Sequence, residues 1–255
     1  MRGLLAGVRL QLIITTRYAE SLLPLIIAPL YTVIFLMILR TGGRPDLSGY
    51  AVIAPVFIAL WWYALFQGGL VVQSDRWADT IELHVATPTR YAVVVFGRIL
   101  TTTGVGLLSF VEVWLVGRYL LRANVSVHHP WVLVATLLAT AFAMAATALL
   151  LSGLVVFLRN AFSLTNSISY PFYVLGGILV PVALLPGWVQ PFSKIVFLSW
   201  SADLLRASLN PAPVAGAAWR LGMIVVLGAA AFAVATGLLR RILNRVRNTG
   251  ELSQR

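Results

Sequence analysis

Six apolar stretches, 22–39, 50–72, 91–117, 131–158, 161–182 and 217–239, are fenced by charged residues, and each is close to the length a helix needs to cross a lipid bilayer. A hydrocarbon core about 30 Å thick takes about 20 residues at about 1.5 Å each. Only 11% of the chain is charged and 60% is hydrophobic, against about 25% charged residues in an ordinary soluble domain. Such a chain cannot cover its own surface with polar groups. The expected fold is therefore an all-α integral membrane protein of six transmembrane helices, forming a single domain over 1–255 with no internal repeat, linker or second domain.

The runs are not equally clean. The third contains Arg98 near one end and Glu112 nearer the other, and the segment 186–213 before the last run is amphipathic, interrupted and too polar to span. The first run is too long for a signal-peptide core and lacks a small-residue cleavage site after it, so it is expected to remain. Prolines or glycines break three runs: Pro24 and Pro29, Pro55, and Pro171 with Gly176 and Gly177. These breaks need packed neighbours to satisfy the freed backbone groups. Alanines four apart, Ala139/Ala143, Ala141/Ala145, Ala229/Ala233 and Ala231/Ala235, offer small faces for close helix contact.

The formal charge of +11 would suggest nucleic acid in a soluble chain, but here its placement between the runs matters more. Six spans put both termini on one side, and 12 of the basic residues fall on that side against 7 on the other. By the positive-inside rule both ends are expected in the cytoplasm. Arg240, Arg241, Arg245 and Arg247 follow the last run and suit an anchor on an anionic inner leaflet. No nucleic-acid partner is needed to account for the charge.

The residues that could carry chemistry are few. There is no GxxxxGK[ST] loop, and the single lysine, Lys194, lies in Phe192-Ser193-Lys194, so nothing here can cradle a nucleoside triphosphate in the P-loop manner. The chain has no cysteine, which removes disulfides and thiolate metal sites. Glu112 is the acidic residue well inside a run. It is expected to be a structural carboxylate, hydrogen-bonded in the bundle or reaching toward Arg118, with a proton or substrate role as the alternative. His84, His128 and His129 form no metal site and are expected at the surface. Asp75 and Asp79 have the DxxxD spacing of membrane prenyltransferases, but the second carboxylate cluster that would complete a magnesium site is missing.

The loop 75–90 is the informative one. At 100° per residue Trp77, Ile81 and Val85 fall on one stripe and Asp75, Asp79 and Glu82 on another, with Pro88 stopping the helix. An acidic stripe is poorly suited to an anionic leaflet. A groove of a cytoplasmic protein partner, oriented by charge, suits it better.

Two motifs then resemble the permease subunits of ABC-2 type transporters, the membrane subunits of bacterial ABC exporters. The loop Asp75-Arg76-Trp77-Ala78-Asp79-Thr80-Ile81-Glu82-Leu83-His84-Val85-Ala86-Thr87-Pro88 follows the family's E-R-x-x-G-T-L-E-x-L-x-x-T-P, with Asp79 in place of glycine. Tyr170-Pro171-Phe172-Tyr173, Gly176-Gly177, Pro181, Leu185-Pro186-Gly187-Trp188 and Asp203-Leu204-Leu205-Arg206 follow its second pattern, without the proline often found near Phe197.

The resemblance implies a coupling helix over 75–88 that docks on a separate ATPase subunit through Asp75, Arg76, Trp77, Asp79, Ile81, Glu82, Val85 and Pro88. It also implies an N-terminal interfacial helix over 2–18 and outer re-entrant helices over 186–206. The interfacial helix would carry Arg2, Arg9 and Thr16 on one face and Leu4, Leu5, Val8 and Leu12 on the remainder. The pathway would lie at the interface of two permeases, two copies or one with a related chain, lined by the second and fifth spans. Those spans offer Trp61, Trp62, Tyr63, Phe66, Gln67, Asn166, Ser169, Tyr170 and Tyr173.

A bacterial plasma-membrane exporter of an amphiphilic or hydrophobic solute, such as a drug, antibiotic, lipid or glycan, is the function this implies. The chain would not itself be an enzyme and would bind no cofactor, ATP and Mg being held by the partner. A gradient-driven secondary carrier and an integral-membrane prenyltransferase are the alternatives.

Overall fold

In lipid a helix is the form in which a run satisfies its own peptide groups, and the apolar runs fold that way. The computed structural model describes residues 2–18, 22–43, 48–77, 91–120, 126–155 and 161–249, and these contain helices and turns but no strand. In chain order the helices are α1 (Arg2–Arg17), α2 (Leu23–Thr41), α3 (Ser48–Trp62) and α4 (Val71–Trp77), with a π-helical turn Tyr63–Gly68 between the last two. Next come α5 (Tyr91–Gly106) and α6 (Leu108–Leu115), which runs into a second π-helical turn Val116–Leu120. The remainder is α7 (Pro130–Val155), α8 (Ala161–Leu175), a 3-10 turn Val182–Leu184, α9 (Gln190–Ser193), α10 (Phe197–Leu209) and α11 (Ala217–Thr249).

Five stretches among the described residues are long and apolar enough to cross a membrane: Leu23–Thr41, Val52–Asp75, Tyr91–Leu120, Pro130–Leu154 and Ala217–Arg241. They correspond to the expected first, second, third, fourth and sixth spans. The expected fifth, 161–182, is represented by the 15-residue α8, which at about 1.5 Å per residue covers about 22 Å. Its end has a definite cause. Gly177 takes φ +64°, the left-handed region open to glycine, while Ile178 N–H donates to Tyr173 O (3.1 Å) and Gly177 N–H to Val174 O (3.0 Å). That bond pattern is a Schellman motif, which satisfies the last carbonyls of a helix and turns the chain away.

The second span sits at the centre. Of its most apolar window 78% is buried, against 28% for the first span and 17% for the last. The first and last spans therefore present open apolar faces, Ile26, Leu30, Ile34 and Met37 on α2 and Val226 and Val234 on α11. Small residues set the close contacts. A Cβ on Gly228 of α11 would come within 2.9 Å of Ala143 Cα on α7, so the small face expected on α7 is used. On α11 Ala235 turns inward, whereas Ala229 and Ala233 are exposed.

Around 186–206 the chain forms the short helices α9 and α10, which precede the last span. Arg206 of α10 donates through Nη2 to the carbonyl of Gly177 and lies 3.7 Å from Asp203. The positive side chain thus caps the broken end of α8, where carbonyl groups concentrate negative charge. At the same end of the bundle His128 N–H and His129 N–H both donate to Ser208 O (3.1 and 3.0 Å). Their rings bond onward, Nδ1 of His128 to Leu209 O (2.8 Å) and Nε2 of His129 to Ala212 O (3.0 Å). The exposed His128 is therefore also a fastening between the start of α7 and the end of α10.

Candidate functional site at the junction of the second and third spans

The second span does not stop where its apolar run stops. The π-helical turn Tyr63–Gly68 adds a residue to one helical turn, which rotates everything after it relative to a continuous α-helix, and α4 carries the chain on to Trp77. The widened turn fits closely against α5. A Cβ on Gly68 would lie 2.9 Å from Ile99 Cγ2, and one on Gly106 would lie 3.0 Å from Tyr63.

This route brings Asp75 inside the protein. Its residue is 6% exposed, with Oδ1 2.5 Å from Arg98 Nη1. Tyr91 donates its hydroxyl to the other oxygen, Oδ2, at 3.0 Å. Arg98 in turn donates from Nε to Gln11 Oε1 of α1 at 3.1 Å. Arg98, Gln11 and Tyr91 are all buried, at 6%, 4% and 5% exposure. A charge removed from water to this degree is tolerable only when paired and hydrogen-bonded, and this network supplies both conditions from three separate elements.

Helix α1 is held to the same place by its backbone. A Cβ on Gly7 would meet Val94 O at 2.2 Å, and one on Gly97 would meet Leu4 O at 2.6 Å. The buried face of α1 is consequently Gly7, Gln11 and Thr15, four residues apart, while Leu5 and Leu12 face outward at 61% and 46% exposure. The segment read as an interfacial helix over 2–18 is helical over Arg2–Arg17, and what it presents to the bundle is a small and polar stripe rather than its leucines.

Of the residues read as docking the partner, Asp75 is thus interior, and Arg76 and Trp77 form the end of α4. Asp79, Ile81, Glu82, Val85 and Pro88 lie outside the described residues. The partners of Asp75 were not anticipated as such. Arg98 was visible as a charge inside an apolar run, and Tyr91 lies seven residues earlier on the same helical face. Gln11 carried only the signal of a polar side chain between Leu10 and Leu12.

The residues read as pathway-lining divide into two groups. Trp61 is fully buried and donates Nε1–H to Ser169 Oγ of α8 at 2.8 Å. Its ring packs on Phe172 (centroids 4.9 Å apart) and edge-on to Tyr173 (6.0 Å). Tyr63 is buried as well. So the second and fifth runs do meet, through a closed aromatic joint. Trp62, Phe66, Gln67, Asn166 and Tyr173 are half-buried, and Tyr170 is exposed. Trp62 stacks on Phe66 (5.6 Å) and, with Tyr31, Pro24 and Pro55, lines an apolar groove of about 190 Å³ between α2 and α3.

Glu112 is half-buried, with Oε2 enclosed and without a hydrogen-bond partner among the described residues. No ion pair joins it to Arg118 among those residues, so the expected reach toward that arginine is not made.

The sequence pattern of the ABC-2 type transporter family matches residues 10–210, from within α1 to the end of α10. The chain belongs to the ABC-2 type transporter family. No curated protein matches it. As an ABC-2 protein with five apolar helices of spanning length among its described residues, it is a multi-pass membrane protein. Its role is that of a transmembrane permease of an ABC-type transporter, a class of permease that works with an ATP-binding subunit.

Proposed function

We propose that this ABC-2 permease forms the membrane pathway of an exporter for an amphiphilic or hydrophobic solute, driven by ATP that a separate cytoplasmic subunit hydrolyses. Family membership carries the transporter class, and a separate ATP-binding partner is supported by the absence of a P-loop from these 255 residues. Two copies, or one copy with a related permease, would pair across the membrane with two ATP-binding subunits. Both termini and the loop 78–90 would face the cytoplasm of a bacterial cell. The fifth span, which brings the total to six, would be completed around α8, with α9 and α10 as the outer re-entrant pair.

The solute class is supported by the apolar groove of Trp62, Tyr31, Pro24 and Pro55, which favours apolar surface over a hydrated ion. Closure of the ATP-binding subunits would push the loop 78–90 and switch the pathway between inward- and outward-facing states. The transferase alternative is disfavoured by Asp75, whose two carboxylate oxygens are engaged by Arg98 and Tyr91 instead of being open to a metal.

The test is purification of the full chain from membranes with its associated proteins, followed by reconstitution into vesicles. Co-purification of an ATP-binding subunit and ATP-dependent movement of a hydrophobic dye are expected. Dye flux that follows an ion gradient in the absence of ATP and of any ATP-binding partner would replace this reading with the secondary carrier.

A further inference from the structure

The buried ion pair presents a problem of purpose. An apolar substitute of similar volume usually stabilises a protein as well as a buried pair does, and what buried pairs best provide is a fixed arrangement. Here the arrangement fixed is unusual. Asp75 lies just before the loop 78–90 and Tyr91 just after it, and the two are joined directly at 3.0 Å. The base of the loop is therefore closed on itself. Arg98 takes the same carboxylate at 2.5 Å and extends the network to Gln11 on α1 at 3.1 Å. Gly7 and Gly97 leave no slack between α1 and α5, since their backbones are already in contact with Val94 and Leu4.

We propose that Asp75, Tyr91, Arg98 and Gln11 are positioning residues that clamp the base of the loop 78–90 to α1 and α5, so that a push on the loop moves α1 and the third span as one body. The inference rests on the docking reading above, in which the ATP-binding subunit pushes on that loop. Without the clamp the docking residues Asp79 and Glu82 are untouched, so the partner still binds, but its movement is absorbed at the loop base. Packed cores transmit displacement because they do not deform continuously. A loop hinged on a single strand of backbone transmits much less.

Two measurements on the full chain test this. The sequence holds no cysteine, so spin labels can be placed at Leu5→Cys on α1 and Ser74→Cys on α4, both exposed positions. In lipid nanodiscs the label-to-label distance distribution is expected to be narrow, to broaden in Arg98→Gln, and to narrow again in the charge-swapped Asp75→Arg/Arg98→Asp. In the complex with the ATP-binding subunit, Arg98→Gln is expected to co-purify normally. It should lower kcat for ATP hydrolysis by about three- to tenfold, in line with coupling residues elsewhere, with the KM for ATP unchanged.

An unbroadened distribution together with unchanged kcat overturns the clamp. If Arg98→Gln does not fold, Gln11→Leu and Tyr91→Phe each remove one arm while keeping the ion pair. Wild-type kcat in both of these also overturns it. Should the wild-type chain carry no ATP-binding partner, the docking reading fails, and the distance measurement still decides whether α1 and the loop base form one body.

Discussion

Gly97 of α5 lies against the backbone of Leu4 in α1, so near that a Cβ at this position would sit 2.6 Å from the Leu4 carbonyl oxygen. The reciprocal contact of Gly7 with Val94 is closer still. Helix α1 is thereby a packed member of the bundle rather than a loose attachment. Gly97→Ala is expected to force the two helices apart at a cost of about 1–3 kcal/mol, the usual range for overpacking. Urea unfolding in mild detergent measures the loss, and limited proteolysis should release α1 before any other helix. Unaltered stability and an uncut N-terminal helix would contradict this packing.

The bond between Trp61 and Ser169 joins the second span to α8. Ser169→Ala is expected to cost about 0.6 kcal/mol, typical of side-chain hydrogen bonds between helices in membranes. Trp61→Leu should cost about 3 kcal/mol, since the ring also fills the space beside Phe172 and Tyr173. A double-mutant cycle with Trp61→Phe isolates the hydrogen bond. A coupling energy of zero would show that the two residues are merely adjacent.

Gly177 combines a positive φ with close neighbours, a Cβ there meeting Val182 Cγ2 at 2.8 Å. Gly177→Ala is expected to cost about 1–2 kcal/mol from the left-handed backbone alone. Arg206→Ala, which removes the donor to the Gly177 carbonyl, should add little on top of it because both act on one turn. Full additivity of the two in thermal unfolding would mean that they stabilise different places.

The docking surface is tested away from Asp75. Asp79→Arg with Glu82→Arg should reduce recovery of the ATP-binding subunit at least about tenfold, as expected for reversed charge at an oriented contact. The permease itself should remain folded in detergent by size-exclusion chromatography. Asp75→Asn should instead lower thermal stability, because it leaves Arg98 without its counter-charge in a buried place. Equal recovery of the partner after the double reversal would remove the loop 78–90 from the interface.

Topology can be read from single cysteines in a chain that has none of its own. With both termini cytoplasmic, Thr41→Cys and Ser126→Cys should react with an impermeant maleimide in intact cells, whereas Tyr18→Cys should react only after the membrane is opened. The reverse pattern would invert the orientation.

Much of this architecture was legible because apolar length is a direct consequence of bilayer thickness. Five runs fold as continuous or nearly continuous helices of spanning length at the places where the charges fence them. The run over 161–182 differs, since a hydropathy window averages across Gly176–Gly177 while the Schellman turn there is a matter of individual dihedral angles. Asp75 illustrates the other limit. A helical wheel put it with Asp79 and Glu82 on one stripe, and periodicity of that kind treats a helix as isolated and unbroken. It cannot register a π-helical turn a few residues upstream, nor an arginine 23 positions later in the chain. Arg98 stood out only as a charge inside an apolar run, and its pairing depends on the packing of α1, α4 and α5 together. The aromatic residues of the second and fifth runs do include a contacting set, but composition alone could not separate Trp61, sealed in the joint, from Tyr170 on the outside.

The fastening of α10 by His128 and His129 has a bearing on how the chain is put together. The carbonyls of Ser208 and Leu209 are satisfied by a segment that leaves the ribosome some 80 residues earlier, at about 5–20 residues per second. The receiving half of this joint is thus always made before the half it receives. A helix whose last carbonyls have no partner within it is delivered to donors already in place, so synthesis order serves as assembly order, and a chain interrupted before residue 208 would carry an empty seat on the far end of the bundle.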